Sequence, residues 1–91
     1  MEFEWDDDKA ASNVKKHKVS FAEAATVFGD PLSVTFLDPD HSIDQDRYIT
    51  IGTSDSNRVL IVSHTDRVDR IRIISARRAT RRERKSYEEG I

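Results

Sequence analysis

Nine cations crowd the stretch between Arg67 and Lys85, opposed only by Asp69 and Glu83. A guanidinium is a planar fork that binds phosphate through two parallel hydrogen bonds. Clustered on one segment, such forks form an electrostatic footprint for nucleic acid. RNA carries its own nucleophile, the 2′-hydroxyl beside the next phosphorus. A protein that orients this hydroxyl, stabilises charge growing on the phosphoryl oxygens and helps the 5′ oxygen leave can cleave RNA without a metal. Arginine suits the second task. Histidine, tyrosine or lysine supplies proton transfer when burial and neighbours tune its pKa. Arg72, Arg77 and Arg78 fall where a last strand meets a last helix, whose N-terminal amides add a positive end. These residues permit a ribonuclease without requiring one. The same segment serves a non-enzymatic nucleic-acid-binding module, and an arginine-rich helix can be no more than solvated surface.

Other chemistries fail on residue type. Cysteine is absent, which excludes a disulfide framework and thiolate zinc sites. His17, His41 and His64 lack ligand spacing and read as surface or partly buried groups. Asp38, Asp40, Asp44 and Asp46 resemble a calcium loop, but Ile43 stands where its glycine belongs and Ile49 where its last glutamate belongs. With only Gly29, Gly52 and Gly90, no glycine-rich phosphate loop exists, and no serine has a neighbouring base. Neither a metal nor a cofactor is expected.

The elements that must position these residues follow from local pattern. Phe3 and Trp5 alternate with acids, as in a short strand. Asp6 caps a helix running to about Lys16, with Asp7 and Asp8 in its first turn. Ala10, Val14 and His17 are its predicted inward positions, while Lys9, Asn13 and Lys16 share a polar stripe. Ser20-Phe-Ala-Glu23 is a capping box opening a second helix, with Phe21, Ala24, Ala25 and Phe28 inward, stopped by Gly29-Asp30-Pro31. Four strands follow, Leu32 to Asp38, Arg47 to Gly52, Arg58 to His64 and Val68 to Ala76. Their short turns predict antiparallel pairing. Thr80-Arg-Arg-Glu83 is a further capping box, and it opens a helix through about Glu89.

The predicted fold is α+β: an antiparallel sheet with two N-terminal helices and one C-terminal helix packed on it, in one domain spanning residues 1–91. A chain this short buries roughly 60–65% of its unfolded surface. The net charge of −2 conceals a balance of −7 over residues 1–66 and +7 over residues 67–85. No apolar stretch is long enough to span a bilayer, and the acidic N-terminus is unlike a secretory signal. A cytoplasmic protein without membrane attachment is expected.

Along its whole length the chain resembles the BrnT family of toxins. The resemblance rests on Phe3-Glu-Trp-Asp6 with Lys9, Asn13 followed by Lys16-His17, Val19-Ser-Phe-Ala-Glu-Ala24 and Val27-Phe-Gly-Asp-Pro31. It continues through Asp46-Arg-Tyr48, Ile51-Gly52, Ile71-Arg-Ile-Ile-Ser-Ala-Arg77, Ala79-Thr80, Glu83-Arg84 and Tyr87-Glu88. It implies a RelE-like fold, endoribonuclease activity that arrests translation, and a BrnA-like antitoxin of ribbon-helix-helix type through which the complex binds operator DNA. Arg72 and Arg77 match the family's arginines and are expected to face phosphate; the alternative is a salt bridge to an acid such as Asp46 or Glu83. Lys16, His17 and Arg47 match further catalytic candidates, and Arg78 and Arg81 are expected to bind RNA. Tyr87 matches a late tyrosine whose helical spacing favours packing, and Trp5, Phe21 and Phe28 read as core. One departure is Lys18, where the family commonly has glycine; a left-handed backbone there costs lysine about 1 kcal/mol relative to glycine.

Overall fold

The computed structural model describes residues 1–40 and 46–90, so His41 and Asp44 lie outside the described residues. The elements run β1 (Glu2–Glu4), α1 (Asp7–His17), α2 (Phe21–Thr26) with a 3₁₀ turn at Val27–Gly29, β2 (Val34–Leu37), β3 (Arg47–Thr53), β4 (Val59–Asp66), β5 (Arg70–Arg78) and α3 (Arg81–Glu88). This is the expected α+β architecture. The sheet order is β1-β5-β4-β3-β2. Strands β2 to β5 pair antiparallel in sequence, as short turns require. β1 lies parallel to β5, matching Glu2 to Arg70 and Glu4 to Arg72. Such a parallel pair needs the long excursion through two helices and three strands.

The caps explain the helix starts. Asp6 accepts from the amides of Asp8 at 2.8 Å and Lys9 at 3.1 Å. Thr80 and Glu83 form both halves of their capping box. The Ser20 box is half made. Its hydroxyl accepts from the Glu23 amide, but the Glu23 carboxylate is drawn to Arg58, and to Ser54 at 2.7 Å. A charged fork outcompetes a single amide for that carboxylate.

Val19, Phe21, Ala24 and Val27 pack on Leu60, Val62, Ile73 and Ala76, with Phe3, Trp5 and Phe28 alongside. They occupy one face of the sheet. Register places Arg47, Ile49 and Ile51 of β3, Ile61, Ser63 and Thr65 of β4, and Arg72 and Arg77 of β5 on the other face. A register shift at Ser63/His64 breaks simple alternation along β5.

The predicted stripe on α1 is overturned. Asn13 is 5% exposed, whereas Val14, expected inward, is 45% exposed. His17, also expected inward, is exposed. The reason lies in β5. Beside it β1 reaches only to Arg72, so the outward backbone groups further along need another partner. Asn13 supplies it: Nδ2 donates to Ala76 O at 2.7 Å and to Val19 O at 2.9 Å, and the Ala76 amide donates to Oδ1 at 3.1 Å. One side-chain amide thus stands in for a strand.

Lys18 ends α1 at φ 59°, ψ 33°, the left-handed conformation that glycine favours. Lys18→Gly is expected to stabilise the fold by about 0.5–1 kcal/mol, read as a melting temperature raised by a few degrees. Asn13→Ala strands three buried backbone groups, each costing about 1–3 kcal/mol. Urea unfolding should show a loss of several kcal/mol, and a loss below about 1 kcal/mol would contradict the role assigned to Asn13.

Candidate active site

Two cationic regions stand at opposite ends of β5. At one end, the Arg47–Thr65–Arg72 row crosses β3, β4 and β5. Two strand spacings put the arginine backbones about 10 Å apart. With Lys9, Asp46, Asp66, Arg67 and Ile74 they line a groove of about 560 Å³. At the other end Arg58, Arg78 and Arg84 line a groove of about 470 Å³ with Thr53, Asn57 and Glu88.

α1 runs along β5 and joins these ends. Its first turn brings Lys9 to the Arg72 groove. About 11 Å further along the helix, Lys16 and His17 stand exposed at its C-terminus. There the neighbouring Lys18 carbonyl accepts from Arg58 at 3.0 Å. The expected site residues therefore divide. Arg47 and Arg72 meet across Thr65, while Lys16, His17 and Arg78 belong to the opposite end. Arg77 lies five residues from Arg72, about 16 Å along the strand, and the two do not converge on one point. Arg81 opens α3 and is exposed.

Acids hold several of these arginines. Arg77 makes a two-pronged bond to Glu83, with Nη1 to Oε1 at 2.8 Å and Nη2 to Oε2 at 3.0 Å. That bond, helped by the Thr80 backbone, holds the Glu83 carboxyl down to about 2. The start of α3 is thus occupied by its own carboxylate, and the positive helix end expected beside these arginines is neutralised. Arg72 donates through Nη1 to Glu4 at 3.1 Å. Glu4 also lies 3.5 Å from Arg67 and 4.0 Å from Arg70, so the parallel pairing of β1 places one acid among three arginines. Arg47 differs: its Nε is buried with no hydrogen-bond partner among the described residues.

His64 is more deeply buried than the sequence suggested, at 1% exposed. Its Nδ1 lies 2.7 Å from Asp66 Oδ1 and its Nε2 lies 2.7 Å from Thr50 Oγ1. Thr50 in turn meets Thr35 Oγ1 at 2.7 Å. Desolvation holds the imidazole below its ordinary pKa, against the opposing pull of Asp66. Alternation along β4, which puts His64 in phase with Leu60 and Val62, was the signal that could have marked it as core. Tyr87 packs as expected, bonded to Asp30 and to Thr53.

The family model for BrnT, the ribonuclease toxin of type II toxin–antitoxin systems, matches residues 5–83. Among solved structures, the chain is similar to the Brucella abortus ribonuclease toxin BrnT, with 23% identity and a TM-score of 0.70. That match covers 89% of this chain and 99% of the Brucella chain. No curated protein matches.

The geometry separates the arginines by availability. Arg47→Ala and Arg72→Ala are each expected to weaken binding of a non-cleavable single-stranded oligonucleotide and to reduce its salt slope by roughly one. Stability should move by less than about 1 kcal/mol. Arg77→Ala should affect this binding less, since Glu83 occupies its fork. Fluorescence anisotropy over a salt series, run beside thermal melts, checks all three variants.

Proposed function

The chain belongs to the BrnT family, the ribonuclease toxins of type II toxin–antitoxin systems, and we propose that it is an endoribonuclease that cleaves RNA without a metal and thereby halts translation in the cytoplasm. The Arg47–Thr65–Arg72 row carries this reading. It offers two guanidinium groups lining one groove, that of Arg47, in no ion pair among the described residues, and that of Arg72, with donors left after Glu4 is satisfied. Two forks flanking one phosphate stabilise charge on its non-bridging oxygens as the adjacent 2′-oxygen attacks. Such preorganised donors act where charge develops and need no reorganisation at the moment of reaction. Arg77, Arg78 and Arg81, with Lys16 and His17, extend the cationic path toward the far end of β5 and contact flanking phosphates.

Type II membership implies an antitoxin. We propose a BrnA-like ribbon-helix-helix protein whose DNA-binding part carries the complex to its operator. The open sheet face suits such a partner. Phe36, Ile51 and Ile61 line an apolar cleft of about 240 Å³ beside Arg82, on the same face as Arg47 and Arg72. A segment with apolar anchors and acids can fill the cleft and cover the row together, and complementary charge speeds its association.

A non-enzymatic nucleic-acid-binding module is the second reading, favoured by the acids already paired to Arg72 and Arg77. Expression separates the two. The chain alone is expected to halt growth and fragment RNA, and co-expression of the product of an adjacent small reading frame to relieve both. Cleavage should survive EDTA, and Arg72→Ala or Arg47→Ala should slow it about 100- to 1000-fold, with lysine restoring only part. Intact RNA and normal growth at confirmed soluble expression would support the binding module. Loss of cleavage in EDTA with rescue by a divalent ion would overturn the metal-free mechanism alone.

A further inference from the structure

Phosphate stabilisation leaves one costly feature unused: the imidazole of His64, buried between Phe28, edge-on at 4.9 Å, and Tyr48, stacked at 5.9 Å. A buried polar ring is tolerated only if its nitrogens are hydrogen-bonded, and here both are. The tautomer follows from the partners. A carboxylate can only accept, so Nδ1 carries the proton and donates to Asp66. Nε2 then accepts from the Thr50 hydroxyl, and the Thr50 oxygen accepts from Thr35. The chain has one consistent direction and ends at Asp66.

Asp66 is half-exposed and lines the groove that holds Lys9, Arg47, Arg67 and Arg72. One carboxylate oxygen is pinned to the buried ring; the other has no hydrogen-bond partner among the described residues. Asp46 also lines the groove, but no hydrogen bond among the described residues orients its carboxylate. A surface carboxylate needs no buried imidazole to be soluble. It needs one to be held in a fixed orientation, which proton transfer requires.

We propose that Asp66 is the general base of RNA cleavage and that His64 is its positioning residue. This assignment rests on the ribonuclease reading above. Asp66 takes the proton of a 2′-hydroxyl, and the freed oxygen pair forms the bond to the adjacent phosphorus. The bond from phosphorus to the 5′ oxygen breaks, and that oxygen takes a proton from water. The products are a 2′,3′-cyclic phosphate and a 5′-hydroxyl end, and Asp66 returns its proton to solvent. No oxidation or reduction occurs. Besides Asp66 and its imidazole partner, the charged groups facing the reaction are Lys9 from α1, Asp46 and Arg47 at the start of β3, Arg67 from the β4–β5 turn, and Arg72 from β5.

The test uses the full chain with a labelled single-stranded RNA of mixed sequence and its uncleavable 2′-O-methyl counterpart. Asp66→Asn keeps the side-chain shape and an oxygen for His64 but cannot take the proton. Cleavage is expected to fall about 10²- to 10⁴-fold, and the acid limb of the pH–rate profile to disappear. Binding of the 2′-O-methyl strand and the melting temperature should stay close to wild type. Asp46→Asn is expected to leave the acid limb in place. His64→Gln, whose amide can donate to Asp66, should retain more kcat per folded molecule than His64→Leu, with KM similar in both. If the wild type cleaves and Asp66→Asn stays within about threefold of it with the acid limb intact, the base assignment is overturned while the ribonuclease reading stands. If the wild type does not cleave, the ribonuclease reading falls first and takes this assignment with it.

Discussion

The hydrogen bonds between Asn13 and the edge of β5 govern where everything else sits. β1 covers only the first three residues of β5, and a buried strand edge without partners is among the more expensive features a small domain can carry. Asn13 removes that cost by presenting a donor and an acceptor to Ala76, as a neighbouring strand does. Its second donor bond, to Val19 O, also ties the link between α1 and α2 to the same point. The direction of α1 along β5 is thereby fixed. Lys9 must fall at the Arg72 end, and Lys16 and His17 at the end where Arg78 and Arg58 stand. The allotment of α1's cations to the two regions follows from one amide.

Local signals were legible where local physics decides. Asp6, Ser20 and Thr80 mark the three helix starts because a side-chain oxygen beside free amides is a short-range matter. The antiparallel run from β2 to β5 follows from short turns, and Lys18 does adopt the left-handed conformation that its glycine-like position implied. The misreadings share a cause in long-range pairing. Asn13 looks like a surface residue to a helical wheel, and only the shortfall of β1 beside β5 makes it a core residue. Glu23 fulfils half its predicted box because Arg58, distant in sequence, claims the carboxylate. His64 reads as a surface or partly buried group until the register sets it opposite Ile73 and against Phe28.

The candidate site divides along the same line. The basic cluster marked Arg72 and the family resemblance marked both it and Arg47, and the register brings them together across Thr65. That Arg72 and Arg77 stand far apart is equally a matter of strand geometry: both project from one face, yet five residues of extended chain separate them. Asp66 was invisible as a chemical group, since one acid among thirteen in residues 1–66 carries no mark. Its identity comes from the imidazole behind it, a contact between residues two apart on one strand face.

Electrostatic competition is the remaining step. Arg58, Arg70, Arg72 and Arg77 each have an acid at hand, and partly exposed pairs of this kind are worth about 1 kcal/mol or less. A phosphate arriving with its own charge can therefore displace or share them at small expense. Arg47 lies outside this pattern, with a buried N–H left without a partner among the described residues. Among the described residues five arginines, Arg58, Arg67, Arg70, Arg72 and Arg77, are ion-paired, whereas Arg47, at the β3 end of the row, is in no ion pair. Arg47 also lines the groove, and phosphate and carboxylate, both ligands of a guanidinium fork, can compete there only through the part of it that is not buried.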